Sequence, residues 1–79
     1  MQKTEILQYL CAKLKATPDE RNQVCFGPND YVKIRSGTVN ESDIIEINNV
    51  LVQLQTEGYI QCSRLKDLHV YAGWITIIV

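Results

Sequence analysis

The chain begins with apolar residues that recur every three or four positions, which is the spacing of one face of a helix. They are Ile6, Leu7, Leu10, Cys11 and Leu14. Lys13 and Lys15 lie where positive charge complements the carbonyl end of the helix dipole. Because the residue before a proline avoids the α region, the helix must end before Pro18. The pattern predicts a helix from Thr4 that ends before this proline, followed by a surface loop over residues 17–23.

The clearest periodicity of the chain lies in its middle and predicts a long helix. The positions assigned to its inward face are Ile44, Ile47, Val50, Leu51 and Leu54. Asn40 is a favourable N-cap, and Glu41 and Asp43 place negative charge in the first turn. Gly58 marks the end of the helix, so the prediction covers residues 41–57.

Between these two helices, the pattern predicts a short strand and leaves the next element open. Residues 23–26 form a β-prone run. Gly27 followed by Pro28 favours a helix start, with Asp30 near the exposed amides, and a helix over residues 28–35 is predicted. The same segment also alternates like a strand and contains β-branched residues, so a strand remains the alternative.

The C-terminal part contains two β-rich runs, residues 59–62 and 74–79, separated by a polar, basic segment, which predicts a β-hairpin. The second run is apolar on both faces, at Trp74, Ile75, Ile77, Ile78 and Val79. One interpretation is that a partner covers the second face, or that a homodimer continues the sheet through this strand. Trp74, Ile75 and Ile77 are then the predicted interface. The alternative is a strand that crosses beneath the long helix in an ordinary core.

The length of 79 residues predicts one domain over residues 1–79, and the predicted helices and strands make it α+β. Its 46% hydrophobic and 22% charged residues are typical of a globular protein that folds without a partner. Eight basic and nine acidic side chains nearly cancel, and the pI of about 5.7 gives no global attraction to nucleic acid. No run approaches the ~18 apolar residues of a membrane span. The first residues lack the apolar stretch of a signal peptide, so we expect a cytoplasmic protein without membrane contact.

The residues with catalytic or metal-binding chemistry do not form a recognised motif. Cys11, Cys25, Cys62 and His69 lack the close spacing of zinc ligands, and three cysteines without a CxxC pair favour a reducing compartment. We expect all three thiols to be buried. Cys62 with His69 lacks a neighbouring oxyanion site, and Asp43 with Glu46 is expected on a solvated helix face. The prediction is a protein without enzymatic activity, metal or cofactor.

Two local features carry a resemblance to a known family. The turn Ser36-Gly37-Thr38-Val39 looks like the turn of a helix-turn-helix, and residues 51–60 follow the pattern Leu-x-x-Leu-x-x-x-Gly-Tyr-Ile. This second segment is similar to the end of a recognition helix that enters a wing. Residues 75–77 look like the returning wing strand. The chain therefore resembles the winged helix-turn-helix family, which implies three helices with a C-terminal β-hairpin wing.

The resemblance implies that the long helix occupies the position of a recognition helix and that the protein is a small DNA-binding transcriptional regulator. The outward row of that helix is predicted as Ser42, Glu46, Asn49 and Gln53, with Asp43 and Asn48 beside it. The residues assigned to duplex DNA are Ser42, Asn48, Asn49, Gln53, Arg64, Lys66 and His69, of which the last three belong to the wing.

The distribution of charge favours a different partner. No lysine or arginine lies between Arg35 and Arg64, whereas the same region carries four acids, Glu41, Asp43, Glu46 and Glu57. Because DNA affinity depends on basic groups at phosphates, the alternative is a protein-interaction module or a small acidic inhibitor that docks on another protein.

Overall fold

The structure, a computed structural model, describes residues 2–78, and its helices form where periodicity and end signals agree. The elements in chain order are α1 (Lys3–Ala16), β1 (Gln23–Phe26), α2 (Pro28–Arg35), α3 (Glu41–Thr56), β2 (Ile60–Gln61), a 3₁₀ helix (Leu65–Asp67) and β3 (Gly73–Ile77). The predicted α+β class, three helices and C-terminal hairpin are confirmed. The alternative of a strand over residues 28–35 is wrong, because the Gly-Pro start and the acid in the first turn prevail over the β-branched residues.

The three strands form an antiparallel sheet in the order β1-β3-β2. In the register, Gln23 lies opposite Thr76 on one side of β3, and Ile60 lies opposite Ile77 on the other. β3 is paired with β1 over residues 73–76 and with β2 at Thr76 and Ile77. Because β3 is the central strand, a homodimer that continues the sheet, as predicted, finds no open edge at these two residues.

Side chains also form hydrogen bonds with backbone groups at both edges of the sheet. At β1, the Gln23 amide donates to Asp19 Oδ2 at 3.2 Å, and Lys13 Nζ donates to the Cys25 carbonyl. Beyond β2, the Cys62 amide donates to Gln55 Oε1 at 2.7 Å. Groups that would otherwise be open to another strand are thereby satisfied within the chain.

The inner face of the sheet packs against α1 and α3 and forms one apolar core. Its members include Ile6, Leu10, Phe26, Leu51, Leu54, Ile60, Ile75 and Ile77. Ile75 and Ile77 were predicted at a partner interface, but both lie in this core, because alternate residues of a strand point to opposite faces. Trp74 and Ile78 point outward and are 61% and 48% exposed. Val79 lies outside the described residues.

The connection between β2 and β3 folds back onto the body of the protein. Leu65 and Leu68, in and after the 3₁₀ helix, are buried and pack into the core. This segment was predicted as a polar wing tip, and its two leucines explain the difference. The prediction that all cysteines are buried holds for Cys62 and is wrong for Cys11 and Cys25, which are exposed.

A buried carboxylate joins α2 to α1 and β1. Asp30 accepts hydrogen bonds from Tyr9 Oη at 2.5 Å, Lys13 Nζ at 2.6 Å and the Gly27 amide at 2.8 Å. Burial alone would raise the pKa of Asp30, but these bonds outweigh burial and hold the pKa below its ordinary value. Burial and the neighbouring Asp30 carboxylate raise the pKa of Tyr9, which therefore keeps its proton as a donor.

A second carboxylate holds α2 against α3. The Asp43 amide donates to Asn40 Oδ1 at 2.9 Å, and Asp43 Oδ2 accepts from the Asn40 amide at 3.1 Å, a reciprocal cap of the helix start. Arg35 Nη2 lies 2.5 Å from Asp43 Oδ1. The backbone hydrogen bond from Asn40 is the main reason that the pKa of Asp43 is lowered, and Arg35 adds to it. None of the helices within residues 2–78 has the length and apolar character needed to span a bilayer.

Candidate interaction surfaces

The outer face of α3 combines two exposed aliphatic residues with uncharged polar ones. Ile45 and Val52, which lie seven positions apart and therefore on one side of the helix, are 54% and 40% exposed. Asn49 lies between them on the same side and is also exposed. We call these three residues, with Ser42 and Thr56 at the two ends, the outer face of α3.

The residues assigned to DNA on α3 do not all remain available. Ser42, Asn49 and Gln53 are exposed, as predicted. The Ser42 hydroxyl donates to Asn40 Oδ1 at 2.7 Å and belongs to the helix cap. Asn48 is half-buried, and its Oδ1 accepts a hydrogen bond from the Tyr31 hydroxyl. Asn48, predicted beside the outward row, is therefore not available, because that side chain fastens α3 to α2. Asp43, also predicted there, is buried.

Arg64 and Lys66 lie close to the C-terminal half of α3. Together with Val52 and Gln55 of that helix, they line an open cavity of about 360 Å³. Both are exposed, and the Arg64 guanidinium lies 5.9 Å from the centroid of the Tyr71 ring. These two predicted residues therefore belong to a surface continuous with α3.

His69 occupies a different environment from the one predicted. It is half-buried, and its ring makes an edge contact with Tyr31 at 6.3 Å between centroids. Its Nδ1 is buried without a hydrogen-bond partner among the described residues. His69 packs against α2, so it does not extend from the tip of a wing.

Several cations that would attract a polyanion are paired within the fold. Arg35 lies between Asp43 and Glu46, at 2.5 and 3.9 Å. At the other end of α3, Lys3 Nζ lies 2.8 Å from Glu57 Oε1. The cations at the two ends of α3 are therefore paired with acids, whereas Arg64 and Lys66 lie beside Val52 at its C-terminal half.

The outer face of the sheet is the second open surface. It consists of Gln23 and Cys25 on β1, Gln61 on β2, and Trp74 and Thr76 on β3, and no other element of residues 2–78 covers it. An open cavity of about 490 Å³ lies on this face, with Gln23, Gln61, Ser63, Arg64, Trp74 and Thr76 among its lining residues. Trp74 also lines a smaller cavity, of about 200 Å³, beside Pro18 and Asp19.

Comparisons with family models, curated proteins and solved structures find no match for this chain.

Sequence reasoning missed Ile45 and Val52, although a signal for them was present. Once five apolar positions of α3 are assigned to the core, these two fall on the opposite side of the helix. The cavity beside Trp74 had no such signal, since it combines residues 23, 61, 64 and 74 from three strands and a connection.

Proposed function

We propose that this chain is a non-enzymatic, winged-helix protein-interaction module that docks on another protein through the outer face of α3. The order of elements supports the winged-helix assignment: a helix, a strand, two helices joined by a short turn, and a hairpin whose last strand lies centrally between the other two. In that arrangement α3 takes the position of the helix that contacts partners in the winged helix-turn-helix family, which this chain resembles.

The observation that carries this proposal is the exposure of Ile45 and Val52 on a face without a cation. DNA recognition draws most of its affinity from lysine and arginine at phosphates, and α3 contains neither. Protein interfaces instead bury a central patch of apolar side chains inside a polar rim. Ile45 and Val52 supply two exposed apolar side chains on one side of α3, and Ser42, Asn49 and Gln53 supply polar groups around them.

Charge indicates the chemistry of the partner. The start of α3 carries exposed Glu41, and the end carries Glu57, which is paired with Lys3. A partner with an apolar groove, basic groups opposite Glu41 and acidic groups opposite Arg64 and Lys66 would match this face. An amphipathic helix laid into such a groove is a common mode of recognition.

Duplex DNA remains a second candidate because of one specific observation. Asn49 and Gln53 are exposed along α3, and Arg64 and Lys66 line a cavity with its C-terminal half. The amides could contact adenine edges while the two cations meet phosphates. Salt-dependent duplex binding that is lost in an Arg64→Ala, Lys66→Ala double variant would favour this candidate.

The decisive experiment compares two isoleucines of similar exposure on different faces. Wild type, Ile45→Asp and the control Ile78→Asp are immobilised and used for affinity capture from an extract of the host cells. We expect a partner that wild type and Ile78→Asp retain and that Ile45→Asp releases, because a carboxylate buried in an apolar interface is costly. A captured protein that all three retain equally would overturn docking through α3.

Val52→Asp extends the test to the other aliphatic residue of the face. The proposal requires that it release the same partner, since the two side chains lie on one side of α3. Thermal unfolding of each variant checks that the fold persists, as expected for substitutions at exposed positions.

A further inference from the structure

The larger cavity on the outer face of the sheet has a lining unlike that of the α3 face. It holds one indole, from Trp74, one guanidinium, from Arg64, and the amides of Gln23 and Gln61. Among the described residues, no carboxylate lines it. The cavity therefore offers a flat aromatic surface, a positive charge and neutral hydrogen-bonding groups.

Arg64 lies near a second exposed aromatic ring. Its guanidinium lies 5.9 Å from the ring centroid of Tyr71, an exposed residue, and the same side chain lines the cavity beside Trp74. An arginine supported by an aromatic ring keeps its full charge and can direct its remaining N–H groups outward. Two exposed aromatic residues thus flank one available cation.

We propose that the outer face of the sheet binds single-stranded nucleic acid, with an unpaired base stacked on Trp74 and a neighbouring phosphate bound by Arg64. Trp74 lies on a different face from the outer face of α3, and although Arg64 also lines the cavity beside Val52, stacking on Trp74 does not depend on the proposed function. An open sheet that presents an aromatic side chain on its central strand is a suitable platform for splayed bases.

The polar neighbours of Trp74 fit this ligand. Gln23 Nε2 lies 3.4 Å from Thr76 Oγ1, so the two side chains hold each other loosely on the sheet surface. Gln61 lies on the other side of Thr76, on β2. Amide and hydroxyl groups can donate to or accept from the edge of a base, and they add affinity without restricting the site to one base.

Charge complementarity favours a single strand over a peptide or a duplex. A polyanion gains from Arg64 and meets no carboxylate in this cavity, whereas a proline-rich peptide would gain little from the cation. In a duplex, the faces of the bases are stacked on one another and cannot reach the indole. An unpaired base with its phosphate can contact Trp74 and Arg64 together.

Trp74 is the only tryptophan of the chain, so its fluorescence reports directly on this site. The protein is titrated at low salt with an oligothymidylate of about 12 nucleotides, a length within the range of single-strand sites. We expect saturable quenching. The same titration with a duplex of equal length, with thymidine monophosphate and with oligoproline provides the comparison, and each should quench far less.

Variants are compared by anisotropy of a labelled oligothymidylate, which does not require the indole. Trp74→Ala should weaken binding about tenfold through lost stacking, whereas the control Ile78→Ala should change it less than about twofold. Arg64→Gln should lower the slope of log affinity against log salt by about 0.7, the value for one phosphate contact on a single strand. Lys33→Gln removes the same charge from an exposed position on α2 and should leave the slope unchanged.

Several results would overturn the proposal. They are absence of quenching by oligothymidylate at low salt, equal affinity for the duplex or the mononucleotide, preference for oligoproline, and equal effects of the Arg64 and Lys33 variants. None of these results bears on whether Ile45→Asp releases a protein partner, so the two proposals fail separately.

Discussion

Asp30 and Asp43 occupy the same position in two consecutive helices but connect different parts of the molecule. Each lies in the first turn, accepts the amide of the residue that precedes its helix and pairs with a cation. Asp30 takes its cation, Lys13, from α1, and it also binds Tyr9. Asp43 takes Arg35 from the helix directly before it.

The difference shows that the same local motif can join elements that are distant in sequence or two helices that are adjacent in sequence. The contacts of Asp30 close a junction among α1, β1 and α2, since Lys13 also donates to the Cys25 carbonyl. The contacts of Asp43 link the end of α2 to the start of α3 across the turn. Both arrangements use cations that are then unavailable to a polyanion, Arg35 near the α3 face and Lys13 beside Trp74.

The largest effect is expected from Asp30→Asn. The substitution removes the negative charge that accepts hydrogen bonds from Lys13 and Tyr9, and it leaves the partly buried Lys13 ammonium without its counter-ion. We expect a loss of about 3 kcal/mol in the free energy of unfolding, measured by urea denaturation. Asp67→Asn, on the exposed surface of the 3₁₀ helix, is the control and should stay within about 0.5 kcal/mol. Equal effects would refute the proposed junction.

Acid should weaken the same junction in wild type. Because the pKa of Asp30 is lower in the folded than in the unfolded state, its contribution is present above the unfolded value and disappears as pH falls through the folded value. Stability should therefore decline below about pH 4. In Asp30→Asn, unfolding midpoints between about pH 4 and pH 2 should fall less steeply. The lowered pKa of Asp43 accounts for part of the slope that remains.

The start of α2 also differs from the start of α3 in a close steric contact. A Cβ added at Gly27, the residue before α2, would lie 2.8 Å from Ala72 Cβ and 3.1 Å from Ala72 Cα. Gly27→Ala should therefore cost about 2 kcal/mol by overpacking. Ala72→Gly should recover part of this loss in the double variant, because it removes the nearer atom. A double-mutant cycle with additive effects would contradict the contact.

A smaller effect is expected at the start of α3, where the side chain of Asn40 supplies the cap. Asn40→Ala should lower stability by about 1 kcal/mol, since it leaves the Asp43 amide without its acceptor. Asn49→Ala, on the outer face of the same helix, should change stability by less than about 0.5 kcal/mol. Thermal unfolding of the two variants side by side distinguishes a cap from a surface amide.

The smallest effect is expected from Arg35→Gln. The Arg35 side chain is about one-third exposed, so solvent screens its pair with Asp43, and the loss should be about 0.5 kcal/mol and shrink in high salt. A loss as large as that of Asp30→Asn would remove the distinction between the two carboxylates.

Most of the fold could be predicted from the sequence because it depends on local signals. The periodicity of α1 and α3, the Gly-Pro start of α2 and the β-rich runs placed every element except the 3₁₀ helix close to its observed bounds. Asn40 and Asp30 were recognised as helix-start residues on the same grounds. The errors concern burial, because exposure depends on what packs above a residue and local spacing does not specify it. They lie at Cys11, Cys25, Asn48, His69, Ile75 and Ile77.

Of the two candidate surfaces, one could be predicted from the sequence and the other could not. The lack of cations on α3 follows from the sequence, and so does the position of Ile45 and Val52 opposite its core face. The cavity beside Trp74 does not, since it requires β3 to lie between β1 and β2 and Arg64 to return onto the sheet.

The sequence by itself determined the helices, their caps and the absence of basic residues from α3, because each arises from neighbours a few positions apart. Only the tertiary structure decided that Asp30 meets Lys13 and Tyr9, that β3 is paired on both sides, and that Trp74 and Arg64 share a cavity. Those contacts join residues from distant parts of the chain, and they form only when burial of the common core brings the elements together.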